Sequence, residues 1–412
     1  MKLEVINTGS ELLLGRMLNT HLGYFSEQLL PLGVSVARAA IVPDGVAIGD
    51  AIREALNRSE VVLVSGGLGP TSDDVTRDLI ARIFDVPLEF HQEILDKIHA
   101  YFARRHHVPG ALTRAQAFVP RGATVLPNDH GSAPGLWLQK DGKHVFCLPG
   151  PPCELKPMFE NYALPVLRKL FADTPPLTVR TLRVYGIGES LVQERVEQAV
   201  CDLGDGIDIG YCARLGEVDL RFIAADGALV NRAAATAHAI LGDAVYADGD
   251  ATMEQAVITS ARAKNKTIAT AESCTGGLVA SRLTDVPGAS AVLQRGWVIY
   301  SNQSKQDELN VSGETLRQHG AVSAECAREM ALGALTVSGC DLAVALTGIA
   351  GPDGGTVGKP VGTLHAGLAW RAADGEPRVE THHQLLVPDR SDFKHTAAQF
   401  ALNLLRLKLV EL

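Results

Sequence analysis

Residues 61–74, VVLVSGGLGPTSDD, set a short apolar run, Val61 to Ser65, against a glycine-rich turn, and a helical pattern from Asp73 to Phe84 follows. A brief apolar run that ends in glycines reads as a buried strand. Its delivery into a helix predicts one step of a βαβ unit around a largely parallel sheet. The same alternation precedes it: Leu3 to Thr8 is apolar, Asn19 to Leu32 helical, Ser35 to Val42 extended and Gly45 to Arg58 helical. Beyond it, residues 89–107 read as a long amphipathic helix, Lys143 to Leu148 as a strand and Cys153 to Phe171 as a closing helix. This predicts a first α/β domain over residues 1–172.

The proline-bearing stretch Asp173 to Leu177 reads as a linker that opens a small α+β domain over residues 173–250. It has a strand, a helix near Glu189 to Ala199, two strands and another helix. From Thr252 the alternation resumes with a helix to Lys264 and a strand over Thr267 to Ala271. It closes on an amphipathic helix in which Phe400, Leu404 and Leu407 recur at helical spacing. Residues 251–412 are therefore a third, α/β domain of ordinary size. The whole is α/β in three domains. The Met and Leu stripes, Glu325 to Met330 and His382-His383 read as ordinary helix faces or satisfied polar residues.

The 412 residues are 46% hydrophobic and 21% charged, enough to build more than one core. No run approaches the roughly 18 apolar residues of a membrane span, and Met1 to Asn7 reads as a strand rather than a signal peptide, so a cytoplasmic protein is expected. Cysteines at 147, 153, 201, 212, 274, 326 and 340 form no C-x-x-C pair and predict reduced thiols. A net charge of −9 argues against binding a phosphate backbone. Small molecules, rather than nucleic acid or membrane, are the expected partners.

Two regions carry candidate chemistry. In the first domain, Gly9-Ser10-Glu11 and the loop from Ser65 to Asp74 each follow a strand, where parallel sheets bind ligands. Gly66, Gly67 and Gly69 allow backbone N–H groups to approach a phosphate, with Thr71 beside them. Asp73 and Asp74 read either as helix caps or, with Glu11, as hard oxygen ligands for a divalent metal on a pyrophosphate. In the third domain, the strand ending at Ala271 runs into Glu272-Ser273-Cys274-Thr275-Gly276-Gly277, a turn that offers a nucleophile and N–H donors together. Tyr300-Ser301-Asn302-Gln303-Ser304-Lys305 supplies a candidate base. Lys305 must be neutral to act, which burial would achieve, although a lysine after a strand is ordinarily a solvated surface residue. Cys274 is the rival nucleophile, with no nearby partner to activate it. The loop from Thr347 and Gly348 to Gly355 reads as a ligand loop, and Arg390 as a phosphate partner or a surface ion pair.

Taken together, GSELLLG (9–15), SGGLGPTSDDVT (65–76), SAPG (132–135) and LPGPP (148–152) in the first half, with AESCTGG (271–277), YSNQSK (300–305), GAVS (320–323), TGIAGPDGG (347–355) and KPVGT (359–363) in the second, resemble the CinA competence/damage-inducible family. The resemblance implies a molybdopterin-binding-like N-terminal domain and a C-terminal domain, expected as three α/β/α layers, similar to nicotinamide-nucleotide amidases. It implies hydrolysis of nicotinamide mononucleotide to nicotinate mononucleotide and ammonia by Ser273 and Lys305. Tyr300 would assist, with Cys274, Thr275, Gly276, Thr347, Gly348 and Arg390 around the substrate and no cofactor. For the first domain it implies ADP-ribose pyrophosphatase activity with a divalent metal, Mg, Co or Mn, with or without K, on Glu11, Asp73 and Asp74. Asn128 would lie near the ligand; Asn128-Asp129-His130 stands where the family more often has Asn-Pro. A homodimer is also expected. A non-catalytic molybdopterin- or nucleotide-binding scaffold linked to competence is the alternative implication.

Overall fold

A computed structural model describes residues 1–387 and 389–412, in two compact units. The first unit is Met1–Val179 with Ala224–Gly227, and the second is Arg180–Ile223 with Ala228–Leu412.

The first unit is built on eight strands: β1 (Leu3–Thr8), β2 (Val36–Val42), β3 (Val61–Ser65), β4 (Leu88–Phe90), β5 (Phe118–Pro120), β6 (Thr124–Leu126), β7 (Gly135–Lys140) and β8 (Lys143–Leu148). Six form one sheet in the order β2-β1-β3-β8-β7-β6. β1 runs parallel to β2 and β3, and β3 parallel to β8, whereas β7 is antiparallel to both β6 and β8. Every residue of β1 and β3 is buried, because helices cover both faces. Val62 and Val64 pack with Ile48, Ile52 and Ile80 on one face, while Val61 and Leu63 pack with Phe25, Phe159 and Leu167 on the other.

Three predicted helices differ here. Residues 89–107 divide into β4 and the helix Gln92–Arg104, because Leu88–Phe90 is captured by β5, a pairing partner nearly thirty residues away that no local pattern announces. The stretch 153–171 breaks into Pro152–Met158, a π-helical turn Phe159–Ala163 and Leu164–Leu170. Pro157 and Pro165 lie along it, and each removes an N–H from the ladder. The helix expected from Asp73 starts at Thr76, with Val75 at its N-cap and no side-chain cap.

Apart from the end residues Thr178, Val179, Ala224 and Gly227, the second unit holds β9 (Thr178–Tyr185), β10 (Asp208–Arg214), β11 (Glu217–Ala224) and β12 (Val245–Asp248) in a four-stranded sheet of order β10-β11-β9-β12, with helices Glu189–Cys201 and Gly227–Leu241. It also holds β13 (Ile268–Glu272), β14 (Leu293–Val298), β15 (Leu342–Gly348), β16 (Thr363–Arg371) and β17 (Pro377–Leu385), ordered β14-β13-β15-β16-β17. β13 lies parallel to β14 and β15, and β16 and β17 are antiparallel additions. Ala269 and Ala271 face Met330 and Ala334 of helix Ala324–Ser338. Ile268 faces the opposite layer, with Val257, Val279 and Leu402 from helices Met253–Ala263, Leu278–Thr284 and Arg390–Glu411. This is the three-layer α/β/α arrangement. The last helix is buried almost all round rather than amphipathic: beside its apolar face, Gln399, Asn403, Arg406 and Lys408 are also buried, and Arg406 donates to the Asp243 carbonyl while Gln399 donates to Glu217.

Candidate active site

β13 ends on Glu272, and the chain turns through Ser273–Gly277 before helix Leu278–Thr284 begins. Gly276 and Gly277 take φ of +63° and +94°, a left-handed step that a Cβ would strain. Ser273 is anchored by its N–H, which donates 3.0 Å to the Leu346 carbonyl on β15. Helix Asn302–Leu309 starts after Ser301, whose hydroxyl accepts from the Ser304 N–H, and it turns Lys305 inward. Lys305 is 1% exposed. Its Nζ stands 2.8 Å from the Ile299 carbonyl, 3.5 Å from that of Tyr300 and 3.1 Å from Ser273 Oγ. Burial holds its pKa below that of an ordinary lysine. The plain alternative of a solvated surface lysine therefore does not describe Lys305, which lies inside the domain.

Ser273 and Lys305 open on a cavity of about 290 Å³ lined also by Cys274, Tyr300, Ala321, Val322, Asp353, Gly354, Arg390 and the run Thr347–Gly351. Seven of the nine residues expected at this site line it. The Cys274 thiol is pushed up to about 12 by burial, so it stays protonated near neutrality and is the weaker candidate nucleophile. Tyr300 presents its backbone carbonyl to Lys305, but its phenol oxygen accepts from Arg390 Nη2 at 3.2 Å, away from the amine. Arg390 also donates 2.8 Å to the Gly351 carbonyl, pinning the glycine loop. The Thr347 hydroxyl donates to the Ala321 carbonyl at 2.7 Å and ties two cavity walls together. Gly348 leaves no room for a side chain, because a Cβ would stand 2.6 Å from the Thr363 carbonyl and 2.9 Å from the Phe393 ring. Thr275 and Gly276 do not line the cavity. The Thr275 hydroxyl is buried and donates 2.7 Å to Glu272. Sequence reading passed over Glu272 and Asp353. A carboxylate that closes an apolar strand and stands three residues before a threonine was the available signal for Glu272.

In the first unit, Gly66 and Gly67 have φ of +101° and +69° at the carboxyl end of β3. A Cβ on Gly66 would meet Thr8 Oγ1 at the end of β1, so the two strand ends and the loop adjoin. The metal set does not assemble: among the described residues no group of three or more His, Cys, Asp or Glu side chains is placed to hold an ion. Asp74 turns back on Thr71, accepting from its N–H at 2.9 Å and from its hydroxyl, with Gly69 giving it space. Asp73 and Glu11 are exposed. Ser10, beside Glu11, binds Asp44 through its N–H and hydroxyl at 2.9 and 3.1 Å. Asn128 is spent on its own loop, donating to the Ala133 carbonyl and to Glu154 while accepting from the His130 N–H. Arg77, 6% exposed, was not foreseen; its Nε has no partner among the described residues.

The geometry defines a chain with a buried serine–lysine pair beside a cavity in an α/β/α domain, preceded by a mixed-sheet α/β domain with a glycine loop. The sequence profiles of the molybdopterin-binding domain, the CinA KH domain and the CinA C-terminal domain match residues 4–169, 179–247 and 250–409. A CinA-like protein of Akkermansia muciniphila is 44% identical over 98% of this chain and 96% of its own. A putative competence-damage inducible protein of Symbiobacterium thermophilum is 44% identical over 99% of this chain and 98% of its own. A solved structure of competence/damage inducible protein CihA from Agrobacterium tumefaciens is 42% identical over 38% of this chain and 93% of its own, at a TM-score of 0.36. The chain belongs to the CinA family. No helix among the described residues is long and apolar enough to cross a membrane.

Proposed function

We propose that the C-terminal domain is an amidase that hydrolyses nicotinamide mononucleotide to nicotinate mononucleotide and ammonia. The observation that carries this is the 3.1 Å separation of Lys305 Nζ and Ser273 Oγ at the wall of a cavity. A neutral amine has two N–H bonds and one lone pair. The Ile299 and Tyr300 carbonyls take the two N–H bonds, which leaves the lone pair for the Ser273 hydroxyl proton. Ser273 Oγ then attacks the carboxamide carbon as Lys305 accepts that proton. The tetrahedral intermediate collapses by breaking the C–N bond, and Lys305 returns the proton to the departing ammonia. Water, deprotonated by the same amine, cleaves the ester and leaves the carboxylate. Backbone N–H groups of the Ser273 turn serve the developing oxyanion. Arg390, half committed to Gly351 and Tyr300, faces the cavity as the cation for the nucleotide phosphate.

The test is ammonia release from nicotinamide mononucleotide by the wild type and by Ser273→Ala, Lys305→Met and Cys274→Ala. Loss in the first two with retention in the third is the expected result, and an inactive wild type or loss only with Cys274→Ala would overturn the assignment.

For the N-terminal domain the reading is cleavage of the ADP-ribose pyrophosphate. It is supported by the left-handed glycines at the adjoining ends of β1 and β3 and by the buried Arg77. The separated carboxylates Glu11, Asp73 and Asp74 do not fit a resident ion, so no metal step is derived from them. AMP release from ADP-ribose, with and without added Mg²⁺, checks this reading, and its absence in both conditions leaves the domain a binding module.

A further inference from the structure

We propose that Glu272 is a positioning residue that holds Ser273 and Lys305 in register with one another, an inference that rests on the Ser273–Lys305 pair being the reacting machinery. Glu272 is 1% exposed and sits on β13 immediately before Ser273. Its side chain reaches across the turn: one carboxylate oxygen accepts the Thr275 hydroxyl at 2.7 Å and the Val279 N–H at 3.0 Å, and the other accepts the Ala280 N–H at 2.9 Å. The five residues Ser273–Gly277 are thus closed into a loop whose two ends are bound by one residue. Its backbone serves the other partner. The Glu272 carbonyl accepts the Ile299 N–H at 2.9 Å, and the Ile299 carbonyl is the 2.8 Å acceptor of Lys305 Nζ. One residue therefore fixes the turn that carries the nucleophile and the edge that carries the amine.

Ordinary helix capping does not require this. Three other helices of the same domain are closed by the serine at the N-cap, Ser301, Ser312 and Ser323. Helix Leu278–Thr284 has Gly277 at that position with no side-chain cap, and it is served instead by a carboxylate five residues before Gly277. No Lys, Arg or His among the described residues forms an ion pair with Glu272, so its charge is met by hydrogen bonds alone, a costly way to close a seven-residue helix. The expense is accounted for when the turn, rather than the helix, is what needs fixing, since misplacing reacting groups by about 1 Å costs roughly a hundredfold in rate.

The experiment measures the rate at which a fluorophosphonate labels Ser273, beside kcat and KM on nicotinamide mononucleotide and a melting curve, in Glu272→Gln and Thr275→Val. The labelling needs no nucleotide, so a wild type that labels at Ser273 without hydrolysing the nucleotide sinks the substrate assignment and leaves this inference standing. The expected result for Glu272→Gln is a labelling rate and kcat lowered roughly a hundredfold with KM within a few fold and the fold retained. Thr275→Val keeps the carboxylate and removes one donor, and a loss of about fivefold is expected, the equivalent of one hydrogen bond. If Glu272→Gln does not fold, Thr275→Val decides alone. Labelling unchanged in the variants that fold, or a wild type that does not label at Ser273, overturns the proposal.

Discussion

Lys305 combines full burial, a serine at hydrogen-bond distance and two carbonyl acceptors, and each of these has a consequence that can be measured. Because its folded pKa lies below 10.5, the unfolded chain binds more protons than the folded one between the two values, and stability rises with pH across that window. Denaturant unfolding of the wild type over a series of pH values leading up to 10.5 is expected to show this rise, and Lys305→Met is expected to abolish it. For catalysis the sign is the same: kcat rises as pH climbs through the depressed lysine pKa, because only the neutral amine accepts the serine proton. Cys274 behaves oppositely to an activated thiol. With its pKa pushed up to about 12, it is expected to resist iodoacetamide near neutral pH in the native protein, and mass spectrometry of the alkylated protein will report modification at exposed Cys153, Cys201 and Cys212 first.

At the scale of elements, the site depends on backbones that approach closely. Gly367 on β16 is such a point, since a Cβ there would stand 2.2 Å from the Ala327 carbonyl of the helix behind it. Gly367→Ala is expected to cost about 1–3 kcal/mol in urea denaturation, as an overpacked core does. Legibility in the sequence follows the range of the interaction. Strands β1, β3 and β13 were readable because runs such as Val61–Ser65 are apolar on both faces and end in glycine. β4 was not, because three residues pair only with β5 across a long connection. The same division runs through the site. Ser273 was visible from its strand-to-turn setting, but the burial of Lys305 depends on Ile299 and on the strands below it, and periodicity carries no information about that. The three carboxylates of the first domain looked alike in sequence, yet Asp74 folds onto Thr71 while Glu11 and Asp73 face solvent. Local packing of the loop, rather than residue type, decides which carboxylate is drawn inward.

At the scale of the whole molecule, the profiles divide the chain three ways but its packing divides it in two, because the middle segment shares a unit with the C-terminal domain. The reason is a polar seam. Gln399, on the last helix, donates to Glu217 of β11, and its carbonyl oxygen accepts from Arg282, which also binds Glu254 at 2.6 Å. Arg282 and Glu254 are both nearly buried, at 14% and 15% side-chain exposure, so the guanidinium links the helices Met253–Ala263, Leu278–Thr284 and Arg390–Glu411 where they meet the small sheet. Removing one member of such a set strands the others, at a cost of about 3 kcal/mol. Calorimetry of the full chain is accordingly expected to resolve two transitions, one for each unit, rather than three. Arg282→Ala should lower only the transition that contains the C-terminal domain, by about 3 kcal/mol in a matching denaturant titration, and leave the other in place. A third, separate transition for residues 180–247 would mean that the seam does not join the middle segment to the domain bearing Ser273, and that its link to that domain is the covalent connection alone.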